Sequence, residues 1–136
     1  MHTSPVILLI VDDDIDDRDL FFEAVAEVDP SCRCMSAQNG EEALEILKRD
    51  DIPLPAFIFL DLNMPRMNGM QFFTEMRKNK NFHHIQVIVY STSRRLEDAM
   101  EMERLGAIAF ITKPKTFSGI CEAISSVIKG KPIATY

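Results

Sequence analysis

Four short apolar runs in this chain end on residues that could do chemistry together. "VILLIV" (6–11) leads into Asp12, Asp13 and Asp14, "FIFL" (57–60) into Asp61, and "QVIVY" (86–90) into Ser91. The run 107–111 leads through Thr112 to Lys113 and Pro114. If the runs are neighbouring strands, at least three carboxylates converge at one edge. Two unit charges ~4 Å apart repel by about 4 kcal/mol at an effective dielectric of 20, so such a cluster is unfavourable alone or has raised pKa values. A divalent cation resolves the repulsion. An open, all-oxygen, acid-rich site suits Mg²⁺, which keeps several waters and completes its shell from a phosphate. An ammonium and a hydroxyl added to acids and a metal position suit phosphoryl transfer. Asp61 would be the nucleophile, with Mg²⁺, Lys113 and the Ser91 hydroxyl balancing the phosphoryl oxygens.

Taken singly, each feature has a plainer reading. Asp12 to Asp14 could be a turn and an acidic helix start, Ser91 a helix N-cap, and Lys113 an exposed loop lysine. Asp16, Asp17 and Asp19 read as the acidic opening of the first helix. What favours the joint reading is that the residues fall at the ends of different strands on one edge.

The elements that must position them alternate. Strands are expected at Val6–Val11, Cys32–Ala37, Phe57–Leu60, Gln86–Tyr90 and Ala107–Ile111; three are apolar runs without in/out alternation, as buried parallel strands are. Helical spacing lies between them. The first helix buries Leu20, Phe21, Ala24, Val25 and Val28; the second, Ala43, Leu44 and Leu47; the third, Met70, Phe73 and either Met76 or Phe72. The fourth puts Leu96, Ala99 and Met100 inward and ends at Gly106, and the last repeats apolar residues from Phe117 to Ile128. Five strands and five helices joined by right-handed crossovers predict a flavodoxin-like, doubly wound (βα)₅ fold. Its parallel sheet has the order 2-1-3-4-5, helices cover both faces, and ligands bind where strands 1 and 3 part.

At 136 residues the chain is expected to be one domain with a core over about 6–129, a short tail at 130–136 and no output domain. A net charge of −6 argues against a nucleic-acid backbone as direct partner. No stretch approaches the ~18 apolar residues of a membrane span. Three cysteines without a signal peptide point to reduced thiols in a cytoplasmic protein. Cys32 and Cys34 are expected to be buried as small apolar side chains, and His83 and His84 to lie in a solvated turn.

"LLIVDDD", "DLNMPRMNG", "YSTS" and "FITKP", at these spacings, resemble the receiver domain of the bacterial two-component response regulators, as a stand-alone, chemotaxis-type receiver over nearly the whole chain. The resemblance implies that Asp61 accepts a phosphoryl group from a histidine kinase or a histidine phosphotransfer protein. Asp12, Asp13 and Asp61 would hold Mg²⁺ with the backbone carbonyl of Asn63. Lys113 would pair with the phosphoryl group, across a cis bond to Pro114. Ser91 would be the switch hydroxyl and Phe110 the aromatic switch residue, read by a downstream protein through the face of helix 4, strand 5 and helix 5, or else the phosphoryl group would be passed onward in a relay. Thr92, where many receivers have Ala or Gly, narrows the space beside the phosphoryl site.

Two other readings compete. A phosphorylation-independent scaffold would not need the intact set of Asp12, Asp13, Asp61, Ser91 and Lys113. A Mg²⁺-dependent phosphohydrolase with an aspartyl nucleophile would carry a second acid two residues on, as haloacid-dehalogenase-like phosphatases do. Here Asn63 stands there and cannot act as a general acid or base, so the chain is expected not to be an enzyme beyond its own phosphorylation and dephosphorylation.

Overall fold

The computed structural model describes residues 5–92 and 95–130. Its strands are β1 (Ile7–Val11), β2 (Arg33–Ala37), β3 (Phe57–Leu60), β4 (Gln86–Ser91) and β5 (Ala109–Thr112). The helices are α1 (Ile15–Val28), α2 (Gly40–Leu47), α3 (Gly69–Arg77), α4 (Leu96–Arg104) and α5 (Phe117–Ile128). The strands form one parallel sheet in the order β2-β1-β3-β4-β5, as the alternating pattern requires.

Because successive side chains on a strand point to opposite faces, the sheet builds two cores. Leu9, Val11, Ile58, Leu60, Val87 and Val89 meet Leu47 of α2, Phe72, Phe73 and Met76 of α3, and Met102 of α4. Leu8, Ile10, Phe59, Ile88, Tyr90 and Ile111 meet Phe21, Ala24 and Val25 of α1 and Ile120, Ile124 and Val127 of α5. Phe21, Phe59 and Tyr90 pack edge-on or tilted, with ring centroids 4.8 to 5.9 Å apart. That geometry suits the aromatic quadrupole.

Side chains start most of the helices. The Asp14 carboxylate accepts from the backbone N–H groups of Asp16 and Asp17, Asn39 from Glu42, and Thr116 from Gly119. Asn68 and Gln71 form a capping box at the head of α3. α4 begins at Arg95 without a side-chain cap. It ends as its glycine foretells: Gly106 has φ +104° and donates to Glu103 O, while Ala107 donates to Met102 O, a Schellman motif.

The phase of α4 differs from the sequence expectation. Leu96 and Met100 are 58% and 61% exposed and Met102 is buried in their place, while Ala99 is buried as expected. Leu20 of α1 and Phe117 of α5 are also exposed, and Met70 of α3 is half-buried while Phe72, Phe73 and Met76 are all buried. β5 begins at Ala109, two residues later than the apolar run suggests, because Ala107 closes the helix cap. Cys32 and Cys34 are half-buried against the α1–α5 core, and burial pushes the Cys34 thiol up to about 12. Ser93 of the "YSTS" motif, Arg94 at the head of the fourth helical pattern and tail residues 131–136 lie outside the described residues.

Candidate functional site

The sheet register brings the polar residues together. Val11 and Leu60 are paired across β1 and β3, so Asp12 and Asp61, which follow them, leave the sheet side by side. Backbone bonds fix both: Asp61 N–H donates to Val11 O at 2.9 Å, and Asp12 N–H to Ala37 O at 3.0 Å. Ser91 pairs with Thr112 across β4 and β5, and Lys113 N–H donates to Ser91 O at 2.9 Å. The lysine thus emerges beside the serine.

Asp12, Asp61 and Ser91 are buried, whereas Asp13 is exposed. Ser91 Oγ donates to Asp61 Oδ1 at 2.9 Å, and the Asn63 N–H donates to the same oxygen at 3.3 Å. Lys113 Nζ lies 2.6 Å from Asp12 Oδ2 and 3.5 Å from Asp61 Oδ2. Asp12 Oδ1 accepts from Asp14 N–H at 3.0 Å. Its buried Oδ2 has only the ion pair with the lysine, poorly directed for a hydrogen bond.

Burial pushes the Asp12 carboxyl up from 3.8 to about 6, against the pull of Lys113 and the Asp14 N–H, and the nearby Asp61 charge adds to the rise. Burial also pulls the Lys113 ammonium downward, but the close carboxylates of Asp12, Asp17 and Asp61 more than offset it and hold the group above its ordinary value. The two partners of one ion pair do not mirror each other. Lys113 has three acids around it, while Asp12 has a single cation shared with two rivals.

Asp12, Asp13 and Asp61 each offer a carboxylate oxygen within 4.8 Å of the others, among the described residues. With a buried oxygen lacking a hydrogen bond and an all-oxygen donor set, the cluster fits a hard divalent cation. Gly69 makes the close packing beneath it possible: a Cβ there would lie 2.4 Å from Asp61 O.

Phe110 is buried, packed inward with Val89, Ala99 and Met102. The peptide between Lys113 and Pro114 is trans, not cis as the family resemblance implied. The ordinary preference of an X–Pro bond, about 0.5–1 kcal/mol toward trans, is not overridden here. Thr92 is exposed beside Ser91.

Two residues at the start of α1 join the site: Asp17, which the sequence reading gave to the acidic opening of that helix, and Arg18, which it did not single out. Asp17 Oδ2 lies 2.7 Å from Lys113 Nζ, and an Arg18 guanidinium nitrogen donates to Asp12 O at 2.7 Å. The only signal in the sequence was their place in the turn after the Asp14 cap, which faces the carboxyl ends of the strands.

Comparison with known proteins agrees with the geometry. A family model described as the response regulator receiver domain matches residues 8–125. The sensor histidine kinase CheAY of Helicobacter pylori is 32% identical over 93% of the chain, which spans 15% of that protein's length. Among solved structures, response regulator RPA3017 in red light signaling of R. palustris superimposes with a TM-score of 0.79 at 29% identity, covering 90% of each chain. The Mn(2+)-bound form of response regulator Rcp1 superimposes with a TM-score of 0.82 at 22% identity, covering 97% of this chain and 99% of that one. No described helix is long and apolar enough to cross a membrane.

Proposed function

The chain belongs to the response regulator receiver family, and from that premise we propose that Asp61 is the phosphoacceptor of a two-component switch, loaded by a histidine kinase or a histidine phosphotransfer protein. The observation that carries the reading is the Asp61 carboxylate itself. It stands between a donated hydroxyl from Ser91 and the ammonium of Lys113, with Asp12 and Asp13 beside it.

In the transfer, a carboxylate oxygen of Asp61 attacks phosphorus as the P–N bond of a phosphohistidine breaks. The bonding pair stays with the imidazole nitrogen, which takes a proton. Lys113 and Ser91 donate to the phosphoryl oxygens, holding them in line for attack and offsetting their charge. A bound Mg²⁺, held by Asp12, Asp13, Asp61 and the Asn63 carbonyl, would neutralise phosphoryl charge; the Mn(2+)-bound relative supports a divalent ion here.

Readout would follow from the same register. Val89 pairs with Phe110 and Ser91 with Thr112, so a change in the hydrogen bond made by Ser91 is felt directly by β5 and by the Phe110 ring packed under α4. The α4–β5–α5 face, with Leu96, Met100, Ile108 and Phe117 exposed on it or at its margin, would meet the downstream protein. Three free cysteines are in keeping with action in the cytoplasm.

Intact-mass analysis with Mg²⁺ and a small acyl phosphate tests the proposal. One labile phosphoryl adduct is expected on the wild type and none on Asp61→Asn. A wild type that takes neither that adduct nor beryllofluoride would overturn it.

A further inference from the structure

We infer that Asp17 is a positioning residue that competes with the phosphoryl group for Lys113, and so sets how readily the switch is thrown. The inference rests on Asp61 being the phosphoacceptor. Lys113 is 11% exposed and its ammonium has three donors. Its two short contacts are 2.6 Å to Asp12 and 2.7 Å to Asp17, whereas Asp61 is more distant, at 3.5 Å.

A phosphoryl group built on Asp61 must draw the ammonium toward itself. Asp12 belongs to the carboxylates converging on the candidate cation position, so that position has its own claim on it. Asp17 does not belong to that set. Its side chain is one-third exposed, it enters from the first turn of α1, 96 positions away in the chain, and among the described residues its charge has no other cation within ion-pair distance. It therefore remains the standing rival for Lys113. An ordinary helix-start acid would stabilise α1 through the helix dipole and leave the lysine alone. The 2.7 Å contact gives this one a second role.

Beryllofluoride binding with saturating Mg²⁺, followed by tryptophan-free spectroscopy such as amide NMR titration, measures the effect without a kinase. Asp17→Asn removes the rival charge, keeps the backbone bond to the Asp14 cap and frees the ammonium. It is expected to bind about two- to fivefold more tightly than the wild type, as a part-exposed ion pair allows. Asp16→Asn, on the same turn without the lysine contact, removes equal charge and reports the long-range field alone; it should stay near wild type. Asp17→Glu, which restores the carboxylate, should return to wild-type affinity. A structural lesion would weaken binding, so tighter binding is a readout that mere damage does not produce. Asp17→Asn no tighter than Asp16→Asn, with the wild type binding normally, overturns the inference alone. A wild type that binds no beryllofluoride overturns the phosphoacceptor reading with it.

Discussion

Asp12 is the most confined acid in the site, and its burial gives a stability dependence that can be worked out and checked. The carboxyl is fully buried and its pKa is raised from 3.8 to about 6. In the unfolded chain Asp12 releases its proton near pH 4; in the folded, metal-free protein it holds that proton until about pH 6. Between those values the folded state binds more protons than the unfolded one, so stability falls as pH rises through the window. The rise from 3.8 to about 6 corresponds to roughly 3 kcal/mol. Asp12→Asn removes this penalty and retains an acceptor for the Asp14 N–H. The assay is urea unfolding of both proteins in chelator at pH 4, 5.5 and 7.5. The two should be similar at pH 4, and the variant should be the more stable by about 2–3 kcal/mol at pH 7.5. Taking the difference cancels the titrating acids remote from Asp12. Mg²⁺ at about a hundred times its Kd would then stabilise the wild type by about 2.7 kcal/mol and close the gap. A difference that is flat across the range, or that favours the wild type as pH rises, would show that Lys113 and the Asp14 amide outweigh burial, and would refute the reasoning.

Three further perturbations follow from the same geometry. Asp61→Asn should abolish the phosphoryl adduct yet unfold in metal-free urea within ~1 kcal/mol of the wild type, because relief from Asp12 offsets the weakened contact with Lys113; a larger loss contradicts a repulsive pocket. Gly69→Ala should cost about 2–3 kcal/mol in the same assay, since its Cβ meets backbone atoms of Asp61 and Leu62 at 2.4 and 2.8 Å; a change under ~0.5 kcal/mol would mean the turn gives way freely. Met102→Ala should cost about 2–4 kcal/mol and Met100→Ala less than ~0.5 kcal/mol, and equal effects would contradict the phase of α4.

That last pair marks where the sequence stopped being legible, and the reason is physical. Residues at strand ends could be placed from the chain alone. A parallel sheet with right-handed crossovers fixes which strands are neighbours, and its register then fixes which residues leave the sheet together. Asp12, Asp61, Ser91 and Lys113 follow from that logic with no side-chain detail. Helix surfaces carry no such constraint. In α4, Leu96, Ala99, Met100 and Met102 offer competing stripes, and no N-terminal side-chain cap pins the start. Packing against Val87, Val89 and Phe110 chose the stripe with Met102. Asp17 escaped for a related reason: the helix-dipole account of an acidic first turn fits Asp16 and Asp17 equally well, and only the tertiary approach of Lys113 separates them. The distinction matters for function. The strand ends supply the proposed phosphoacceptor site, whereas the balance around the lysine is set by a residue that the sheet does not place. Differences between receivers in how firmly the lysine is held should therefore be sought on the first turn of α1 as much as on the strand ends.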